Sequence, residues 1–230
     1  RGAEAPAWRR CRAAVRPCLR ASVLKVALTG NVAAGKSSVL AFFERWGAAT
    51  IDTDKLAREV VLPGSPALAA LYLRFGSDLA QPDGTLDRAE LRRRVMGDDE
   101  QRAVLNAIVH PDVERLLAAR LTDAERRGAG IVVCDIPLLF EALDPAAWDV
   151  VVLVDAPEET RRRRLIELRG YTREEADDVI GAQLPSRLKR EQSDIVIDND
   201  GPQEALEARA AEAWAALQGA VRTRHAGPRR

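Results

Sequence analysis

The residues Gly30-Asn31-Val32-Ala33-Ala34-Gly35-Lys36-Ser37 fit the spacing G-x-x-x-x-G-K-[ST]. That spacing suits phosphate chemistry. Small residues let backbone N–H groups approach phosphate oxygens. A lysine at this position reaches the outer phosphates, and the hydroxyl beside it can hold magnesium. A Gly/Ala-rich turn that matches by accident is the competing reading, and the flanking pattern argues against it. Val23 to Thr29 reads as a strand and Ser38 to Trp46 as a helix, which together present the loop to an anion.

Carboxylates recur at the ends of apolar runs. Asp52 and Asp54 follow a short strand near Ala49-Thr50-Ile51. In an extended chain, residues at i and i+2 point the same way, so both could face the loop. One could orient magnesium or its waters while the other accepts a hydroxyl proton. Asp54 could instead cap the helix that follows. Asp135 ends the run Ile131 to Cys134, where an acid can hold a magnesium-bound water or cap local backbone. The hydrophobic turn Ile136 to Phe140, closed by Glu141, suits packing. Arg161 to Arg164, with Arg169, form the densest interior basic run. Cations there could neutralise a moving phosphoryl group, and the region from Arg161 to Arg190 could close as a lid. A solvated, ion-paired surface explains the same residues. His110, before Pro111, could bind substrate or be structural, and the proline predicts a helix boundary. Gln183, Lys189 and Arg190 are polar candidates without a signal of their own.

These groups need a scaffold. Five apolar runs read as strands: Val23 to Thr29, the run near Ala49, Ile131 to Cys134, Asp149 to Val154, and Asp194 to Asp198. Helices lie between them, which predicts a parallel α/β sheet with its ligand at the strands' carboxyl ends. Between the second and third runs come helical segments only: Ala67 to Phe75, Asp87 to Val95, Asp98 to Val109 and Asp112 to Arg127. They read as a helical insertion. Thr172, with Glu175 three residues on, has the form of a capping box. Pro202 opens a last helix to about Leu217.

The 230 residues suit one α/β domain with an insertion. Acidic and basic residues number 35 each, so bulk charge does not favour nucleic acid. Three cysteines make no disulfide framework, and two histidines make a Cys/His zinc site improbable. No window approaches a membrane span. A soluble enzyme from a reducing compartment is expected. Residues 1–22 are basic and acid-poor, which suits an import leader, a translated upstream segment or a disordered extension. Residues 221–230 suggest a frayed tail.

The ordered motifs resemble the dephospho-CoA kinase family from about Lys25 to Leu217. The likeness covers the loop, Ile51-Asp52-Thr53-Asp54 with Ala57-Arg58, Gly84-Thr85-Leu86-Asp87-Arg88, and Leu105-Asn106-Ala107-Ile108-Val109-His110-Pro111. It continues through Asp135-Ile136-Pro137-Leu138-Leu139-Phe140-Glu141, Arg169-Gly170, Gln183, Lys189-Arg190 and Asp194 to Asn199. The resemblance implies a P-loop nucleoside triphosphate hydrolase-like three-layer α/β sandwich with a parallel sheet. Residues 23–62 and 130–220 would form the nucleotide-binding core, 63–129 a helical dephospho-CoA-binding insertion, and 157–190 a helical lid. It implies ATP as donor, magnesium, dephospho-CoA as acceptor, and a cytoplasmic enzyme without nucleic-acid, membrane or obligate protein partners.

By the same likeness, Asp54, Lys36 and Arg164 would be catalytic. Gly30, Asn31, Val32, Ala33, Ala34, Gly35, Lys36, Ser37 and Ser38, with Arg169 and Asn199, would hold the nucleotide. Thr29, Asp52, Asp54, His110 and Leu138 would lie on the acceptor side, and Ser37, Asp52 and Asp135 would serve the metal. The chain departs from the family where Gly-Gly-Ile-Gly-Ser-Gly often stands in the loop, at Arg161 (often glutamine) and at Val179 (often arginine). Another small-acceptor kinase, a GTP-driven switch and a nucleotide-binding regulator are the alternatives. Asp198-Asn199-Asp200-Gly201 matches D-x-x-G but comes too late for a γ-phosphate sensor, and Asn-Lys-x-Asp is absent.

Overall fold

The computed structural model describes residues 23–226. The basic leader and the last four residues lie outside that range. Five parallel strands form one sheet: β1 (Leu24–Gly30), β2 (Ala49–Asp52), β3 (Ile131–Asp135), β4 (Val150–Asp155) and β5 (Ile195–Asp198), in the order β2-β3-β1-β4-β5. From β1 the chain passes to the edge strand β2, returns to place β3 between the two, then crosses to the other side for β4 and β5. The order therefore reverses at β1, and the crevice at the carboxyl ends falls where the glycine loop leaves that strand.

Register aligns the strand ends. Asp52 pairs with Asp135, Gly30 with Val154, and Asp155 with Asp198. The four strands other than β1 thus each end on an aspartate, along one rim. Both faces of the sheet are covered, which explains strands that are almost wholly apolar. One face packs on α1 (Lys36–Arg45) and α10 (Gln203–Ala226) through Val39, Phe42, Phe43, Leu206, Ala210 and Leu217. The other face packs on α2 (Thr53–Glu59), part of α5 (Asp99–Arg126) and α6 (Leu139–Ala142), through Leu56, Val113, Leu117, Leu121, Leu139 and Phe140. This is the expected three-layer sandwich. The last helix continues past Leu217 to Ala226, through much of the stretch expected to fray.

The insertion comprises α3 (Pro66–Phe75), α4 (Arg88–Val95) and the first half of α5. Ser65, Asp87 and Asp98 cap these helices by accepting the N–H groups of Leu68, Glu90 and Gln101. Their apolar faces meet around Leu68, Leu71, Leu79, Leu91 and Val95. The boundary expected at His110-Pro111 does not occur, because α5 runs through both residues. Pro111 removes a helical hydrogen bond, a change that costs about 3 kcal/mol. The compensation is packing on both sides: Leu105, Ile108 and Val109 join the insertion core, while Val113, Leu116 and Leu117 join the sheet.

Three helices follow β4: α7 (Glu158–Arg169), α8 (Arg173–Gly181) and α9 (Ser186–Arg190). Thr172 and Glu175 form the reciprocal capping box that starts α8.

Candidate active site

The glycine loop occupies the crevice after β1. Gly30 runs so close to β4 that a Cβ there would lie 2.6 Å from the Val154 carbonyl oxygen. Gly35 caps α1 with φ 97°, and a Cβ would collide with Asn199 Nδ2. Ala33 holds φ 56°, so this alanine occupies a left-handed conformation that disfavours a side chain. Asn31, the other departure from the family's glycines, is not among the positive-φ residues. Lys36 and Ser37 begin α1, where backbone N–H groups lack helical acceptors and the helix dipole favours an anion. Ser37 and Ser38 are exposed.

Lys36 forms an ion pair with Asp135 Oδ1 across the β1–β3 boundary. The side chains of both are largely buried. The Asp135 carbonyl accepts from Thr53 Oγ1 at 2.8 Å, which ties β3 to the start of α2. Asp52, not Asp54, caps that helix, since its Oδ1 accepts the Lys55 N–H at 2.9 Å. The chain turns helical at Thr53, so the extended-strand argument for paired orientation fails at this point. Asp54 lies exposed in the first turn, and its carboxylate has no ion-pair partner among the described residues. Its capping alternative is thereby removed.

Thr29 is fully buried, and its hydroxyl donates to the Pro137 carbonyl at 3.4 Å. It supports the segment after β3, where Leu138 stands about half exposed. His110 sits inside α5, partly buried. Cys134 is buried beneath the rim. Burial pushes its thiol up to about 12, against a weak opposing effect of Lys25, so it is no nucleophile.

The arginine run divides by face. Arg161 is buried, with Nε donating to the Ala156 carbonyl at 3.2 Å. Burial lowers its pKa against the pull of Asp155 and Glu158. Arg162 pairs with Glu158, Glu159 and Asp177, joining α7 to α8. Arg164 turns to the loop. Its Nη1 donates to the Ala33 carbonyl at 3.2 Å, and Nη2 donates to Asn199 O and Oδ1 at 3.1 and 3.2 Å. Burial, then Arg163, lowers its pKa. Asn199 Nδ2 donates to the Ala34 carbonyl at 2.8 Å, so this buried residue braces the loop from beneath. Arg169 ends α7 exposed, without an ion-pair partner among the described residues.

Side chains with no motif of their own also reach the loop. Asn31 Nδ2 donates to Ser186 Oγ at 2.7 Å, and the Val32 N–H donates to Gln183 Oε1 at 2.8 Å. Arg190 bridges Asp155 and Asp198 at the rim, and both carboxylates raise its pKa. Ser186 carries no sequence signal, while Gln183, Arg190 and the acidic strand ends were the hints of this network.

No group of three or more His, Cys, Asp or Glu residues among the described residues could hold a metal by itself. Magnesium does not need one. It keeps several waters and is held by one or two protein groups together with substrate phosphates. The exposed Ser37 hydroxyl and Asp135, at the rim beside Lys36, fit that donor set.

Comparison with known proteins agrees with this geometry. The family model for dephospho-CoA kinase matches residues 24–204. A dephospho-CoA kinase of Streptomyces avermitilis is 46% identical over 197 residues, covering 85% of this chain and 94% of that protein. One from Corynebacterium glutamicum is 43% identical over 190 residues, covering 83% and 95%. A crystal structure from Thermus thermophilus superposes with a TM-score of 0.73 at 36% identity, covering 84% of this chain and 97% of that one. A dephospho-CoA kinase structure from Campylobacter jejuni shares the fold, with a TM-score of 0.57 at 20% identity over 86% and 98% of the two chains. The loop, the rim of aspartates and the match across most of the chain lead to one assignment: this chain belongs to the dephospho-CoA kinase family.

Proposed function

We propose that the chain transfers the ATP γ-phosphate to the ribose 3′-hydroxyl of dephospho-CoA, forming CoA and ADP, with Asp54, Lys36 and Arg164 at the reacting centre. The observation that carries this reading is the Lys36–Asp135 pair at the loop, flanked in register by Asp52, with the exposed Asp54, which has no ion-pair partner among the described residues, two positions on from Asp52. Asp54 takes the proton as the hydroxyl oxygen attacks the γ-phosphorus. The bond to the β–γ bridging oxygen breaks, and the charge left on ADP is met by Lys36 and by N–H groups of the loop. To reach a phosphate oxygen, Lys36 shares or exchanges its contact with Asp135. Arg164 sits close enough to the loop to neutralise the transferred group. Ser37 and Asp135 would hold magnesium, whose charge would offset that of the phosphates.

Asp52 shapes the turn that presents Asp54. Thr29 positions the acceptor-side segment, while Leu138 and His110 contribute to the acceptor surface. Asn199 serves the nucleotide by holding the loop, and Arg169 meets it from the end of α7. The substrates are two small soluble molecules and the site of action is the cytoplasm. No described helix is long and apolar enough to cross a membrane.

The test is ADP formation with ATP and magnesium, with and without dephospho-CoA, and mass identification of the product. Strong acceptor dependence with 3′-phosphorylated CoA is expected. Asp54→Asn should lower turnover at least about 100-fold with little change in ATP binding. Near-normal turnover in that variant removes Asp54 from the proton-transfer role.

A further inference from the structure

The stretch 183–190 touches both sides of the cleft. On the donor side, Gln183 holds the Val32 N–H, and Ser186 accepts from Asn31 while donating to Asp155 Oδ1 at 3.0 Å. On the acceptor side, Glu141 closes the segment that carries Leu138. Its Oε1 accepts the Leu184 N–H at 3.3 Å and lies 2.6 Å from Lys189 Nζ. The Lys189 side chain has no exposed surface, and the contact is an ion pair without an aligned hydrogen bond. Glu141 Oε2 and Asn31 Oδ1 are buried and unpartnered. These ties are few and specific, and several would be lost if either side shifted alone.

We propose that residues 183–190 are a positioning bracket that couples the phosphate loop to the acceptor-side segment, with Glu141–Lys189 and Asn31–Ser186 as its two fastenings. A buried ammonium cannot leave its carboxylate without a large desolvation cost, so α9 and the segment around α6 move together. In the same stretch, Gln183 and Ser186 grip Val32 and Asn31, inside the loop. A nucleotide that orders the loop therefore orders the acceptor segment, and the effect is reciprocal. The residues of the bracket act through others and touch no reacting atom. This inference rests on the kinase reading above.

The measurement is calorimetric titration of the full chain with dephospho-CoA, with and without a non-hydrolysable ATP analogue and magnesium. Dephospho-CoA should bind about tenfold more tightly when the analogue is present, within the usual span of coupling between sites. The double variant Glu141→Gln/Lys189→Met removes both charges together and leaves no lone buried ion. It should stay folded, bind the analogue alone as before, and lose most of that tenfold factor. Lys189→Arg, which preserves the pair, should retain it. Ser186→Ala, at the other fastening and only partly buried, should also reduce the factor, and it carries the test should the double variant unfold. A purely structural role would lower Tm and leave the coupling factor alone. Folded variants with the full factor, or a wild-type chain with none, overturn the bracket. A wild-type chain that binds the analogue but no dephospho-CoA overturns the kinase reading, and the bracket with it.

Discussion

The insertion and the α7–α9 segment, which we propose as a lid, are both helical, yet they are held in different ways. The insertion has an apolar core of its own, in which Leu68, Leu71, Leu79, Leu91 and Val95 are almost wholly buried. The lid core is Leu165, Ala176 and Ile180, and it borrows Val32 and Ala33 from the glycine loop. The remaining grip on the lid is polar: Arg164 on the loop, Arg162 across to α8, and the contacts of Gln183, Ser186 and Arg190. Burying a large aliphatic side chain is worth about 1.5–3 kcal/mol, so the insertion has the greater burial energy. It is a platform. The segment α7–α9 is fastened instead to the glycine loop, largely by polar contacts.

Unfolding energies test that contrast most directly. Leu71→Ala should cost about 2–5 kcal/mol in urea unfolding, with ATP affinity little changed in the folded fraction. Leu165→Ala should cost about 2 kcal/mol and also raise KM for ATP, because Val32 and Ala33 lose their packing partner. A larger loss at Leu165 than at Leu71 would reverse the comparison. Arg164→Ala removes the hydrogen bonds of one part-buried guanidinium, at a net cost of about 1 kcal/mol in all. It should lower kcat/KM for ATP by about tenfold or more while Tm falls by only a few degrees. A Tm loss as large as that of Leu71→Ala would make Arg164 a structural residue.

A tie far from both regions serves as the control. Asp149 Oδ2 accepts the Lys25 N–H at 2.8 Å, and the carboxylate pairs with Arg224 of the last helix. Burial alone would raise its pKa, but Arg224 and the Lys25 N–H outweigh that and lower it. The stabilisation is therefore present above the ordinary carboxylate range and is lost as pH falls through the lowered folded-state value. Asp149→Asn should cost about 1 kcal/mol at pH 7, and the difference from wild type should close below about pH 4, with turnover unaffected. Ala33→Gly should have the smallest effect. Relief of the left-handed conformation, about 1–2 kcal/mol, is partly offset by glycine's extra unfolded-state freedom of about 0.5–1 kcal/mol. Thermal unfolding should show a net gain of between zero and about 1.5 kcal/mol.

Features governed by neighbours along the chain were legible in the sequence. The β1–loop–α1 unit, the Thr172/Glu175 capping box and the aspartates closing the later strands all stand where local pattern puts them. The readings that failed met either packing between distant residues or a cap that ended an element early. Pro111 marks a boundary by its own chemistry, but two cores hold α5 together around it. Asp52 and Asp54 share a face only if the strand continues, and Asp52 itself ends the strand by capping α2. Of four arginines in a row, only the fold shows that Arg164 reaches the loop while Arg162 pairs within the lid.

The sequence by itself determined a parallel α/β core, a phosphate loop at its first strand, acids at the rim and the family to which these belong. Those properties follow from residue type and short spacing: glycine where a Cβ would collide, lysine and serine at a helix start, apolar runs buried on both faces. Tertiary structure decided the strand order, the pairing of Lys36 with Asp135, the exposure of Asp54 and the grip of residues 183–190 on the glycine loop and on Glu141. The contacts behind these decisions join residues as much as 155 positions apart, as between Asn31 and Ser186, and only packing of the whole sheet with its helices brings them within reach.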